Sequence, residues 1–486
     1  MSSANTNYGS GSLANNTSGI LNSAFGQDTL KTNTSGYWNT SVGAYSGLNN
    51  NAGISNTTIG TNALLSNTTG SYNTALGTAA LLTNSTGSRN TAIGTNALQY
   101  NTVDSNVAIG AQALFSNTTG TNNLAIGTFA LLNNTTTENN IAIGNNALKS
   151  NNYIGLNPVN SRNNIAVGFN TLQANTTGDS NIAIGTDALS SNTIGDLNIA
   201  IGKNALKDNN PSDTSNGTKN IAIGNTSLEL NTIGTDNVAI GVAAIAKNKT
   251  GGSNIGLGTG ALINNDSGNQ NMGIGIQTLN NNETGSSNVA VGYQSLFNTT
   301  GSNNTALGYS AGSVNASGQN ITCIGYNAQP SSNSVSNEIT LGDANISSLR
   351  CQVGLTIVSD ERDKIITENN FNQSQSLNFI KNVNPVKFTW NSRPLKIKKY
   401  NEVTGEEEYE EHEGLKNIDD IGFTAQNLRD AQSTAAFTVP GLVIDTNPDK
   451  LEVTHGKLLP VLVACIKELS SKVEMLEAKI SALENK

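Results

Sequence analysis

Charge is scarce over most of this 486-residue chain. Residues 1–358 hold 10 Lys/Arg and 14 Asp/Glu, whereas the remaining 128 hold 16 and 21. The long first part has no basic cluster, so no nucleic-acid footprint is expected. No apolar run approaches the length needed to span a bilayer, and the opening MSSANTNYGS lacks the pattern of a secretory signal. Cysteine is nearly absent: Cys323, Cys351 and Cys465 are too few and too scattered for a disulfide framework or a zinc site, and are expected to be buried free thiols. The two histidines are far apart. His412 sits in an acidic run, read as a solvated loop, and His455 has no evident metal-binding neighbours. No cofactor and no metal are expected. Aromatics make up only 5%. A chain this polar is either disordered or a repetitive β-architecture, and periodicity decides between them.

The periodicity is strict. Glycines recur from Gly9 through Gly26, Gly43 and Gly60 to Gly325 and Gly342, giving 20 units with nearly all steps of 17 residues. Two steps are 16, and two are long, Gly144 to Gly168 and Gly202 to Gly224. Disorder does not keep such a register. Counting from the glycine as position 0, Asn occupies −4 in 18 of 20 units, broken by Ile321 and Glu338. Position −1 is apolar, −2 is small, −3 is often Ile, Val or Leu, and a Leu usually follows at +4. A turn of the type Asn67-Thr68-Thr69-Gly70 comes next. Apolar residues at −1 and −3 predict a short strand with that face buried, ended by a glycine where the backbone bends. The Ala-Leu segment reads as a second short strand or a turn. One unit cannot bury its own apolar face, so the units are predicted to stack as coils of a β-solenoid with a ladder of Ile and Leu inside. Stacked Asn side chains would form amide ladders along the axis. So thin a core predicts association of several chains through the small Ala face. The sequons such as Asn67-Thr68-Thr69 are explained by turn chemistry. The inserts near 151–160 and 209–216 are expected to protrude as loops, read as tolerated surface insertions, with receptor contact as the functional alternative.

The segments Ser105-Asn106-Val107-Ala108-Ile109-Gly110 and Ser180-Asn181-Ile182-Ala183-Ile184-Gly185 resemble the repeat of trimeric autotransporter adhesin heads, with a period of 17 in place of that family's shorter coil. The resemblance implies a trimer of parallel β-rolls. Similar repeats occur in phage and virus fibres.

The last 128 residues differ in kind. Ser359-Asp360-Glu361-Arg362-Asp363-Lys364-Ile365-Ile366 resembles the signature of the endosialidase-type intramolecular chaperone domain, although Ile366 falls one place early and Thr367 fills the family's Ile position. Leu377-Asn378-Phe379-Ile380, Pro385 to Trp390, and Ile421-Gly422-Phe423-Thr424-Ala425-Gln426 resemble further segments of that domain. The resemblance implies that Ser359 is a nucleophile, that Lys364 is its general base, and that the bond cut is Val358–Ser359 in the chain's own backbone. Asp360 and Arg362 would hold the loop. A lysine serves as a base only when neutral, which burial favours, and Ser–Lys pairs are a known variant of triad chemistry. Beyond it, Leu459, Leu462, Ile466, Leu469, Val473, Leu476, Ile480 and Leu483 alternate spacings of 3 and 4, an a/d coiled-coil seam. Ile and Val at a with Leu at d would alone favour two strands. The repeat and the family resemblance imply three.

The expected organisation is mainly β: a trimeric β-solenoid over 1–345, a linker over 346–358, a small α+β chaperone and auto-processing domain over 359–458, and a coiled-coil helix over 459–486. The expected function is a structural and receptor-binding fibre of a virion, made in the host cytoplasm. Its C-terminal domain would align three chains and then remove itself. Expected partners are two further copies, a fibre-base or baseplate subunit (the first unit begins at Asn5), and a host cell-surface receptor, for which a glycan is a candidate. No nucleic acid and no membrane insertion are expected. A cell-surface adhesin of the autotransporter type is the alternative, disfavoured by the missing signal and anchor. A glycan-cleaving tailspike would need clustered carboxylates, and the repeat offers single, scattered ones.

Overall fold

Within each unit the stretch from −4 to 0, most often Asn-x-Ala-x-Gly, holds a three-residue strand, from β1 (Thr6–Tyr8) to β20 (Ile339–Leu341). The computed structural model describes residues 4–152, 161–213, 215–346, 349, 372–391, 395–400, 407–412, 416–444 and 451–485. Each strand pairs in parallel with the equivalent strand of the next unit, residue for residue: Ala75 lies beside Ala92, and Ala183 beside Ala200. The long inserts do not disturb this register, since Ile141 still pairs with Ile165 and Ile199 with Ile221. The result is a parallel β-solenoid with one strand per coil. The Ala-Leu segment is a turn, not a second strand. At about 4.8 Å per coil, 20 strands extend over roughly 90 Å. The chain divides into two compact units after Leu341.

The face buried is the opposite of the one expected. Inside lie Ala at −2, Ala at +3 and Leu at +4, as in Ala92, Ala97 and Leu98, all fully buried. The Ile, Val and Leu side chains at −1 and −3 point outward and are half-buried or exposed. The reason is space. The strand faces its own Ala-Leu turn across a narrow interior, and only a small −2 residue fits there. Two coils with glycine at −2 show how tight the space is. Where −2 is Gly256, an added Cβ would lie 2.6 Å from Ile245 Cγ1, with Ile245 standing where other coils carry Leu. Where −2 is Gly273, it would lie 2.6 Å from Thr278 Oγ1, with Thr278 in place of Ala at +3.

Two buried amide ladders complete the interior, one from Asn at −4 and one from Asn at +7. Asn181 Oδ1 accepts from the Asn198 backbone N–H at 3.0 Å and its amide at 3.2 Å. Asn181 Nδ2 donates to Gly195 O at 2.9 Å, and the +7 residue Asn192 donates to the same carbonyl at 3.0 Å. The ladders therefore satisfy the backbone of a turn that water cannot reach. At the two 16-residue steps the +7 ladder breaks. Asn84 Oδ1 and Asn282 Oδ1, the +7 asparagines one coil before each shortened turn, are buried with no hydrogen-bond partner. The +7 asparagines head the sequons, and their full burial leaves no room for a glycan on residues such as Asn67.

Each coil also holds non-glycine residues in the left-handed region, for example Arg89 (φ 60), Asn96 (φ 58) and Leu98 (φ 50). Such a conformation costs about 1 kcal/mol or more per residue, and stacking of each coil on its neighbours enforces it. The glycine at 0 is different in kind. Gly185 has φ +127, and a Cβ there would lie 2.6 Å from the carbonyl oxygen of Gly202 in the next coil. The obstacle is backbone and cannot rotate away. Gly185→Ala is expected to cost about 3 kcal/mol. Hydrogen exchange should show loss of protection confined to the coils around residue 185.

The second unit, Gly342–Lys486, has helix α1 (Gln373–Asn382), the strands β21 (Val386–Asn391) and β24 (Lys416–Gly422) paired antiparallel, and the hairpin β22 (Leu395–Tyr400) with β23 (Glu407–His412). Helix α2 (Ala425–Ala435), the short pair β25 (Val443–Ile444) and β26 (Glu452–Val453), and helix α3 (Leu458–Glu484) follow. The acidic run around His412 is thus a strand and not a loop. Its register sets Glu411 opposite Lys396 and Glu408 opposite Lys399. Among the described residues no helix is long and apolar enough to cross a membrane.

Candidate functional site

The C-terminal unit is built around Phe379, a fully buried side chain of α1. Leu428 and Ala431 from α2, Leu442, and Leu458, Val461 and Cys465 from α3 share its core. Both short helices are capped by side chains. Asn372 Oδ1 accepts from the Gln375 N–H at 3.0 Å, and Thr424 Oγ1 from that of Asn427 at 3.2 Å. Such caps stabilise a helix start by about 1 kcal/mol each. They explain two of the segments singled out in the sequence: Leu377 to Ile380 lies in α1, and Thr424 is the cap between β24 and α2. Asn427 also joins the two helices, accepting from the Asn384 N–H at 2.9 Å. Nothing in the sequence marked Asn384 or Asn427 as that link, since two isolated asparagines 43 positions apart carry no periodic signal.

The cleavage-site residues Val358, Ser359, Asp360, Arg362 and Lys364 lie outside the described residues. What is described is the domain that follows them, from Asn372 onward. His455 sits in a single 3-10 turn ahead of α3, its ring 6.0 Å from that of Phe423. Among the described residues no group of His, Cys, Asp and Glu is placed to hold a metal ion. Cys323 and Cys465 are buried free thiols. Burial pushes the Cys323 thiol up to about 11, with the nearby Glu338 carboxylate adding to the effect, so at neutral pH it is a small apolar side chain at position −2. Cys351 lies outside the described residues.

Helix α3 has two faces with different fates. Leu458, Val461 and Cys465 pack into the domain core. The seam from Leu459 through Ile466, Val473 and Ile480 to Leu483 is exposed along the whole helix, each of its eight residues between 43% and 71%. An exposed apolar seam of this length is the kind of surface that marks an interaction site. The solenoid carries a second apolar surface of the same kind: position −1 is apolar or aromatic in all 20 coils, from Tyr8 to Leu341, without one charged residue.

No curated protein and no solved structure matches the chain. Residues 359–438 match the family model of a peptidase family described as the chaperone of endosialidase, so a domain of that type follows the β-solenoid, an arrangement that fits a fibre-like protein.

Proposed function

We propose that this chain is the subunit of a homotrimeric fibre on a virion, with a C-terminal domain that aligns three copies and then removes itself. The observation that carries the reading is the pair of uncovered apolar surfaces in one chain: the outward −1/−3 face of the solenoid and the a/d seam of α3. The solenoid face is about 90 Å long and about 10 Å wide, roughly 900 Å² per chain, the size of a stable interface. The seam is a parallel coiled-coil surface, whose partners are further copies. Near-identical coils could pair out of register by whole units, so a separate alignment device has a physical reason to exist.

In the cleavage step, Ser359 Oγ attacks the Val358 carbonyl carbon while the neutral amine of Lys364 takes the hydroxyl proton. The Val358–Ser359 C–N bond breaks, and its nitrogen receives that proton from the Lys364 ammonium. Water then hydrolyses the Ser359 ester, leaving a Val358 carboxylate. Asp360 and Arg362 hold the loop. Each chain turns over once. Loss of the alignment domain would then leave a kinetically trapped rod. The fibre would bind its base or baseplate subunit at one end and a host receptor, a glycan among the candidates, on its exposed surface.

Assembly is tested on the seam. Leu469→Asp with Leu476→Asp places charge on exposed positions that do not touch the domain core, so the monomer fold should survive. Trimer yield measured by light scattering should fall at least tenfold. Unchanged trimer yield would remove α3 from assembly.

A further inference from the structure

The outward face of the solenoid is not uniform along its length. In coils 7 to 17, from Val107 to Val289, both −3 and −1 are apolar. In coils 2 to 6 position −3 is Ser or Thr, from Ser23 to Thr91. In coils 2 to 5 apolar residues stand on the preceding border instead, at −6 and −5: Ile20, Leu21, Tyr37, Trp38, Ile54 and Tyr72, whereas coil 6 has Ser88 and Arg89 there. Trp38 and Tyr72 are both 56% exposed. In coils 18 and 19 position −3 is again Thr, at Thr305 and Thr322, and the apolar residues stand on the opposite border, at +1. Tyr293, Tyr309 and Tyr326 form a ladder there, with ring centroids 5.1 and 5.4 Å apart and planes within 14° and 17°. Beyond coil 5 position −6 is never apolar, and before coil 14 position +1 carries nothing larger than Ala, Thr, Gln, Asn or Lys except Phe169. Leu197 at −5 and Phe169 at +1 are isolated exceptions, each with polar residues at the same position in the coils on either side.

We infer that the line along which copies of this chain touch crosses the outward face obliquely, entering at the −5 border near Trp38, passing over −3 and −1 near Ile182, and leaving at the +1 border near Tyr309. Position −1 is common to all three zones, so the line is continuous. Its centre shifts by about 10 Å over about 72 Å, an inclination to the residue columns of roughly 8°. The logic is that of a coiled coil, in which the drift of the apolar stripe across the surface decides how chains wind on each other. The occupant is a second copy of the chain. Identical chains in register present the same zone at the same height, aromatic border to aromatic border and aliphatic strand to aliphatic strand. The stripe lacks charge at its centre, as interface cores do.

The inference rests on the self-association proposed above, and site-specific cross-linking separates the two. In the full chain with Cys323, Cys351 and Cys465 replaced by alanine, single cysteines are placed at outward positions and treated with a short bis-maleimide. Trp38→Cys and Ala44→Cys compare the two borders of coil 3, and Asn303→Cys and Tyr309→Cys those of coil 18. Ile182→Cys reports the middle. Covalent dimer should form at least tenfold faster at 38 than at 44, at least tenfold faster at 309 than at 303, and readily at 182. Tyr72→Cys against Thr78→Cys, and Tyr326→Cys against Asn320→Cys, repeat the comparison should a first variant fold poorly. Reaction at 182 with no difference between borders would overturn the oblique contact and leave self-association standing. Silence at 182 and at every border would overturn self-association itself.

Discussion

Ser359→Ala is expected to leave every chain at its full length of 486 residues, whereas the wild-type chain is expected to separate into 1–358 and 359–486. The effect is all-or-none on a denaturing gel, because alanine has no nucleophile to offer and no second serine adjoins the bond. Loss of a nucleophile costs on the order of a thousandfold or more in rate. Loss of its base costs about 10² to 10⁴, so Lys364→Met should be cut slowly or not at all. Lys364→Arg should behave like Lys364→Met, since a guanidinium does not give up its proton in a protein. Cleavage of the wild-type chain should be faster at higher pH, because only the neutral amine accepts the hydroxyl proton. Hydroxylamine should release 1–358 from an ester. Full cleavage of Ser359→Ala would remove the serine from the chemistry and leave its place in the chaperone-type domain untouched.

Asn181→Leu breaks the rod from inside, and its effect should exceed that of any outward substitution. The side chain is fully buried. Its Oδ1 takes two hydrogen bonds from Asn198, and its Nδ2 holds the Gly195 carbonyl at 2.9 Å. Leucine leaves the Asn198 N–H with no acceptor in a dry interior. An unsatisfied buried group costs about 1 to 3 kcal/mol, and with the lost pairs the local cost is roughly 4 to 6 kcal/mol. In a stack of coils that each touch only their neighbours, the damage stays local. Limited proteolysis should therefore cut near residues 175–200 while the distant coils stay intact. An exposed counterpart, Thr186→Leu at position +1, should leave the digest unchanged. Equal digests of wild type and Asn181→Leu would mean that the ladders do not hold the coils.

The architecture was legible in the sequence because a solenoid writes its period into the chain. Gly at 0 and Asn at −4 fix the coil count, and the strands fall where the alternation placed them. Which face is buried was not legible. Alternation of Ile and Ala says only that the two faces differ. The larger residue was expected inside, yet the narrow gap to the Ala-Leu turn admits only small side chains such as Ala, Ser, Thr and Cys. The backbone at Leu98 was equally hidden, since nothing about leucine announces a left-handed φ. In the C-terminal unit α3 could be read from its alternating 3 and 4 spacings, whereas the caps Asn372 and Thr424 appear only in the structure. The hairpin of β22 and β23 was missed because a run of glutamates has poor strand propensity, and the lysines that face it in register lie several residues upstream. Ser359 and Lys364 rest on the signature in the sequence and on the match of residues 359–438.

Native mass spectrometry of the purified rod tests self-assembly with self-removal most directly. Three chains, each ending at Val358, are expected, with the fragment that begins at Ser359 recovered separately. A single chain, or an assembled rod whose chains all end at Lys486, would contradict it.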